Sequence, residues 1–228
     1  MRLCATVLLL LFAQGAALAQ WTDYGAWTSV SLSQKIARKT VASADFALRW
    51  DRDFTRLGST FLNTEISREV VDDLNISMAF RGGASMTDEC QWEPQRRGAI
   101  TAKYKRGVGE NSSVSFRLQG QTGHKGARTP GQGLEFSQAA RTKLTYYHKL
   151  SKKYRLSVSG EAFFRPLYYT YEWSDIRGRI SVRKKVAKRK YLTIGYQVES
   201  PRGGPDPWVE HVLICNFGLE KKRRKSDK

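Results

Sequence analysis

The chain has 228 residues, and 39 Lys and Arg against 21 Asp and Glu give it a formal net charge of +18. Hydrophobic residues make up 40% of it and the mean hydropathy is −0.51. No segment after residue 19 has the roughly 18 consecutive apolar residues of a transmembrane helix, which excludes that class of membrane protein. A membrane β-barrel is not excluded, because each barrel strand carries only a weak hydropathy signal.

Residues 1–19 have the features of a secretory signal peptide. Arg2 supplies a positive charge, residues 3–12 are almost wholly apolar, and residues 17–19 form a small-x-small cleavage site. We therefore expect cleavage before Gln20. A membrane anchor is disfavoured because the apolar run is shorter than the roughly 20 residues needed to span a bilayer. Export also argues against nucleic acid as a partner, although a basic excess commonly marks nucleic-acid binders.

The rest of the chain alternates polar and apolar residues, which is typical of β-strands. The alternation is clearest over residues 155–165 and 175–183. Helical periodicity is absent, and we predict one all-β domain over residues 20–220. Eleven strand candidates follow one another at residues 27–36, 41–51, 61–69, 74–81, 99–105, 113–121, 139–150, 154–165, 175–186, 191–199 and 211–219.

The connections between these candidates alternate in length. Four of them, at residues 82–98, 122–136, 166–174 and 200–210, are longer and rich in Gly, Pro or aromatics. Short turns at one end and long loops at the other are typical of outer-membrane barrels, which in single bacterial chains have an even number of strands. Eleven is odd, so Gln20–Ala26 joins a further strand, a long loop hides one, or one candidate lies outside the wall. The prediction is an antiparallel up-and-down transmembrane β-barrel of 10 to 12 strands.

One face of each strand is apolar, which predicts contact with membrane lipid. Phe46, Leu118 and Ile194 are examples, each two residues from another apolar side chain. Aromatic rings near strand ends are interpreted as interfacial girdles. The alternative is the core of a soluble β-protein. The predicted girdle residues are Trp27, Trp50, Tyr104, Tyr146, Tyr147, Phe164, Tyr168, Tyr169, Tyr171, Trp173, Tyr191 and Trp208.

The opposite faces carry charges that a dry core could not hold, because an unpaired buried charge is too costly. We interpret them as a charge network lining the lumen, the interior of the barrel. The network is structural if its acids pair with its arginines, since small barrels are usually filled by side chains. Its positive surplus would instead attract anionic solutes or acidic headgroups. The predicted members are Asp45, Arg49, Glu65, Arg81, Arg117, Arg141, Lys143, Glu161, Arg177 and Arg179.

Further basic residues gather at the short turns and at the C-terminus. Lys149, Lys152 and Lys153 surround one turn, and residues 184–190 surround another. Residues 221–228 are predicted to form a basic tail near anionic lipid or peptidoglycan. All of this charge is expected at the periplasmic rim.

Residues for catalysis are few, so a non-enzymatic protein is favoured. A barrel hydrolase acting on lipid would need a His beside a Ser on neighbouring lipid-facing positions. His148 and Ser151 would point to opposite faces of a strand, while His211 would need a Ser from another strand. The sequence contains no metal-binding spacing and no cofactor motif, and Cys90 and Cys215 are interpreted as unpaired.

Several segments resemble a known family. They are Trp27–Ile36, Phe46–Trp50, Ala140–Leu144, Tyr154–Leu156 and Glu161–Phe163. Together they are similar to an uncharacterised family of bacterial exported proteins, a domain of unknown function regarded as outer-membrane β-barrels. The resemblance implies a fold and an outer-membrane location, with no catalytic residues to transfer.

Three functional hypotheses follow. The first is an outer-membrane barrel with a positively charged lumen, acting as a narrow pore or a structural envelope component. The second is a barrel hydrolase or acyl-modifying enzyme acting on envelope lipid. The third is a soluble periplasmic β-protein that binds an acidic ligand.

Overall fold

A computed structural model describes residues 21–125, 135–167, 170–201 and 208–221. The predicted signal peptide and residues 222–228 of the predicted tail lie outside these ranges. No helix among the described residues is long and apolar enough to cross a bilayer. The strands are β1 Trp21–Ala37, β2 Thr40–Asp51, β3 Arg56–Val71, β4 Leu74–Met86, β5 Trp92–Gly107, β6 Ser112–Lys125, β7 Glu135–Lys149, β8 Tyr154–Leu167, β9 Thr170–Ala187, β10 Lys190–Pro201 and β11 Trp208–Lys221.

The strands form a closed barrel in which each pairs with the next along the chain. These ten neighbour pairs are antiparallel, whereas β1 closes on β11 in parallel. Successive strands of an up-and-down sheet alternate in direction, so the first and the eleventh must run the same way. The predicted all-β barrel is confirmed, but the antiparallel pattern does not extend to this seam. The stretch before residue 27 belongs to no further strand, because Trp21–Ala26 extend β1.

Several strands extend beyond their apolar segments. The loop predicted at residues 82–98 is wrong in extent, since the connection between β4 and β5 is only residues 87–91. Gly82 pairs with Arg96 and Gly83 with Gln95 in the continuing ladder. Ladder hydrogen bonds join backbone groups, so they do not require apolar side chains.

The outer and inner surfaces of the wall differ sharply in polarity. Large apolar side chains on the outer surface are about half exposed, for example Phe46 at 49%, Met78 at 66% and Ile194 at 60%. The alternate positions place small polar residues inside, and Ser77, Thr101, Ser115, Thr145, Ser159 and Ser181 are all buried. The period of two thus separates an apolar outside from a polar lumen.

The two ends of the barrel carry different connections and charges. Two-residue turns at 38–39, 72–73 and 188–189 lie at one end, where Asp73 and Arg189 adopt left-handed conformations at φ 68° and 63°. The basic turn residues Lys149 to Lys153 and Lys184 to Lys190 lie at this same end. We call it the short-turn end. The start of β1 and the end of β11 lie at opposite ends of the barrel.

Three aromatics assigned to the lipid girdle lie in the lumen instead. The ring of Trp27 contacts the Arg49 guanidinium at 3.9 Å, and that of Tyr191 contacts the Arg183 guanidinium at 4.8 Å. Tyr147 lies 5.1 Å from the Lys105 ammonium. These residues share the parity of the charged face, which proximity to a strand end does not reveal.

The parallel seam predicts a specific disulfide in engineered protein. Thr28 is the register partner of Cys215, a free and exposed thiol. Paired strands lie about 4.8 Å apart, within the range that a disulfide spans. In a Cys90→Ser background, Thr28→Cys should therefore oxidise to an intramolecular disulfide, detected by gel mobility and mass spectrometry.

Ala26→Cys in the same background is the matched control. Ala26 pairs with Leu213 and is offset from Cys215 by two residues, so it should crosslink poorly. Crosslinking of Ala26→Cys but not of Thr28→Cys would contradict this register and the parallel closure.

Candidate functional site

A row of charged side chains crosses seven neighbouring strands at matching register positions. We call it the charge row. Cations lie on β5, β6 and β7, and β8 to β11 carry three acids and one arginine. In strand order the row is Lys103, Arg117, Lys143, Glu161, Arg177, Glu199 and Glu210.

Glu161 on β8 is the hub of the lumenal ion pairs. Its carboxylate accepts hydrogen bonds from the Arg117 Nη2 at 2.6 Å and the Arg141 Nε at 3.0 Å. The Lys143 ammonium and Arg177 Nη1 each lie 3.8 Å from it. Arg117 lies on β6, so this ion pair reaches past β7 to join two strands that are not direct neighbours. The Glu161 side chain is only 3% exposed.

Strand β10 supplies two network members that the sequence pattern did not predict. The Arg177 guanidinium donates two hydrogen bonds to Glu199, at 2.9 and 2.7 Å, and the Arg179 guanidinium donates two to the Gln197 Oε1, at 3.0 and 2.6 Å. The alternation of Gln197 and Glu199 with Tyr196 and Val198 was an available signal for a lumenal position.

An arginine–aromatic cluster lies in the lumen beside the seam. The Arg49 guanidinium carbon lies 3.9 Å from the centre of the Trp27 ring and 4.8 Å from that of Phe61. The Arg81 guanidinium carbon lies 4.0 Å from the Phe61 ring centre. Gly83 faces Phe61, and a Cβ on Gly83 would lie 2.6 Å from the Phe61 Cβ. The absence of a side chain there lets the backbone of β4 lie close to that of β3 at Phe61.

The remaining predicted members, Asp45 and Glu65, lie apart from the hub. Asp45 accepts a 2.5 Å hydrogen bond from the Ser31 hydroxyl on β1. Asn216 on β11 donates to Ser29 and Ser31 across the seam, at 2.6 and 2.7 Å. Within the described ranges, Glu65 makes no ion pair shorter than 4.0 Å.

Two polar clusters lie on the outer surface. His211 stacks between Tyr24 and Tyr196, at centroid separations of 5.2 and 5.9 Å, and hydrogen-bonds the Tyr196 hydroxyl. At the short-turn end, the Ser112 hydroxyl lies 2.9 Å from the His148 Nδ1 and 3.0 Å from the Tyr146 hydroxyl. Ser112 on β6 and His148 on β7 are register partners, although they lie far apart in the sequence.

Cys90 and Cys215 are both free and exposed. Among the residues with described positions, no three His, Cys, Asp or Glu side chains are grouped to hold a metal ion.

Comparison with solved structures supports the fold. No protein-family model matches the sequence, and no curated protein is similar to it. The solved structure titled "NanC porin structure in rhombohedral crystal form" matches with a TM-score of 0.51 and 8% identity, over 83% of this chain and 94% of that one. At this identity the likeness concerns the fold, which is that of a porin-like β-barrel.

The hub arrangement predicts that Glu161→Gln destabilises the barrel. The substitution leaves partly buried arginines without their shared carboxylate, a change that typically costs about 3–5 kcal/mol. The loss should appear as a lower free energy of unfolding in urea, measured on protein folded into detergent micelles.

Glu65→Gln is the matched control, because it removes one lumenal carboxylate that lacks a close cation. We expect it to change the free energy of unfolding by less than about 0.5 kcal/mol. Equal losses in the two variants would contradict the role of Glu161 as the hub.

Proposed function

We propose that this protein is a bacterial outer-membrane β-barrel that acts as a narrow pore favouring anions. The observation that carries the proposal is the charge imbalance of the lumen. The charge row and the predicted network together hold eight cations and five carboxylates. Pores lined by cationic side chains attract anions and repel cations.

The outer-membrane location is supported by the outer surface and by the predicted signal peptide. Apolar side chains about half exposed around the wall suit lipid contact, and a closed barrel leaves no unpaired edge in the bilayer. In the proposed orientation the short-turn end faces the periplasm. Its basic turns, and the predicted tail beyond Lys221, would then lie near the anionic headgroups of the inner leaflet.

A structural envelope role is the other form of this proposal. The Glu161 and Glu199 ion pairs line the lumenal surface from β6 to β10, and small barrels are usually filled by side chains. Conductance separates the two forms, since a filled lumen passes no ions.

The pore form predicts anion selectivity in planar bilayers. Protein from the outer-membrane fraction, identified as a species whose gel mobility shifts on boiling, should conduct. Under a salt gradient its reversal potential should indicate anion preference, which should weaken at high salt as the lumenal charges are screened. Absence of conductance would leave the structural role, and cation preference would contradict the charge argument. Recovery in the periplasmic wash would support the soluble binder.

A second candidate function is ester hydrolysis on lipid, and the Ser112–His148 contact favours it. Ser112 and His148 are within hydrogen-bond distance on the lipid-facing surface, and the Tyr146 hydroxyl contacts Ser112. This is the arrangement of a nucleophile beside its base. The Ser112 hydroxyl would attack the ester carbonyl, and His148 would take its proton and pass it to the leaving alcohol. Water would then release the acyl group from Ser112.

The hydrolase candidate predicts that Ser112→Ala abolishes turnover of a phospholipid ester in mixed micelles, by at least about a hundredfold. Ser151→Ala is the control, because the Ser151 hydroxyl accepts hydrogen bonds from the backbone of Lys153 and Tyr154. Turnover that survives Ser112→Ala, or an inactive parent protein, would rule out this candidate.

A further inference from the structure

Arg49 and Arg81, the two arginines of the arginine–aromatic cluster, differ from Arg141 and Arg177 in what they contact. Arg141 and Arg177 also lie over aromatic rings, at 4.3 and 4.7 Å from the centre of Phe163. Both of them pair with a carboxylate, at 2.7 Å for Arg141 with Glu161 and 2.6 Å for Arg177 with Glu199. For these two arginines, stacking on a ring accompanies ion pairing.

Arg49 and Arg81 have the rings but not the carboxylates. Within the described part of the chain, neither forms an ion pair within 4.0 Å or a hydrogen bond to a side chain. The Nε of Arg81 is fully buried and has no hydrogen-bond partner. A buried guanidinium N–H without an acceptor is costly, so the site requires an acceptor.

The carboxylates that interact with these arginines have their close contacts elsewhere. Glu199, which acts on Arg49, accepts its hydrogen bonds from Arg177. Asp45 interacts electrostatically with Arg81 and Arg49, yet its close contact is the Ser31 hydroxyl at 2.5 Å. Arg97 lies directly opposite Arg81 in the register, and its charge adds to the positive potential there. Among the described residues, Arg49 and Arg81 therefore interact with other arginines, and neither has a carboxylate within 4.0 Å.

We propose that Arg49 and Arg81 form a binding site for a small oxyanion, a carboxylate or a phosphate, held in the lumen beside Phe61. Guanidinium groups bind both anions through paired N–H donors, and the stacked rings fix their planes. The site makes the proposed pore function more specific. It rests on that function in one respect, because a solute would reach the site through the lumen. It names small oxyanions as the preferred solutes.

The test is binding of inorganic phosphate and of acetate, each measured by equilibrium dialysis on the full barrel in detergent at low salt. The parent protein should bind at least one of the two saturably. Arg49→Gln and Arg81→Gln should each weaken that binding by about tenfold. Arg49→Lys should also weaken it, because an ammonium keeps the charge but lacks the paired donors.

Arg183→Gln is the matched control, since Arg183 is another lumenal arginine over a ring, that of Tyr191. It should leave binding within about twofold of the parent. Every variant is first checked for the boiling-dependent gel shift of a folded barrel. Equal loss in Arg183→Gln would assign the effect to the general lumenal field and overturn the site. Absence of saturable binding by the parent to either anion would overturn it as well.

Conductance of the same variants separates this site from the pore. Saturable binding by a barrel that passes no ions would overturn the pore and keep the site. Anion selectivity that is unchanged in Arg49→Gln and Arg81→Gln, together with unchanged binding, would keep the pore and overturn the site.

Discussion

Every strand edge in this barrel is paired, and that requirement determines how the two ends of the sheet meet. An unpaired edge exposes a row of N–H and C=O groups that a bilayer cannot satisfy. With eleven strands, β1 and β11 run in the same direction, so they can pair only in parallel. Side chains reinforce the seam on both surfaces. Asn216 donates to Ser29 and Ser31 inside, and the ring of Tyr24 stacks on that of His211 outside.

Part of the lumen depends on closure in turn, because some of its contacts join strands on the two sides of the seam. Arg177 on β9 lies 5.2 Å from the ring of Trp27 on β1, across the seam. Such contacts exist only when the wall curves round to bring distant strands together. The Glu161 hub and the Glu199 pair hold carboxylates against arginines, whereas Arg49 and Arg81 have no carboxylate within 4.0 Å among the described residues. The Glu161 and Glu199 ion pairs therefore stabilise the barrel, whereas the proposed anion preference depends on Arg49 and Arg81.

The outer surface shows how neighbours across strands create chemistry that sequence distance conceals. Ser112 and His148 are separated by a whole hairpin, but their pairing across β6 and β7 places the hydroxyl against the ring. By sequence distance the serine near His148 is Ser151, three residues away. In the structure Ser151 lies in the turn between β7 and β8. His211, predicted to need a Ser, meets two tyrosines instead. Alternation along one strand does not identify the partner that a residue meets on the next strand.

The amino-acid sequence by itself determined the strands, the two faces of the wall and the basic character of one end. A period of two is a local property, and each strand carries it without reference to any other. Only the tertiary structure decided the parallel seam, the hub at Glu161, the lumenal position of Trp27 and the lack of a close carboxylate for Arg49 and Arg81. These features depend on which residue lies opposite which, and register is a relation between strands that no single strand encodes.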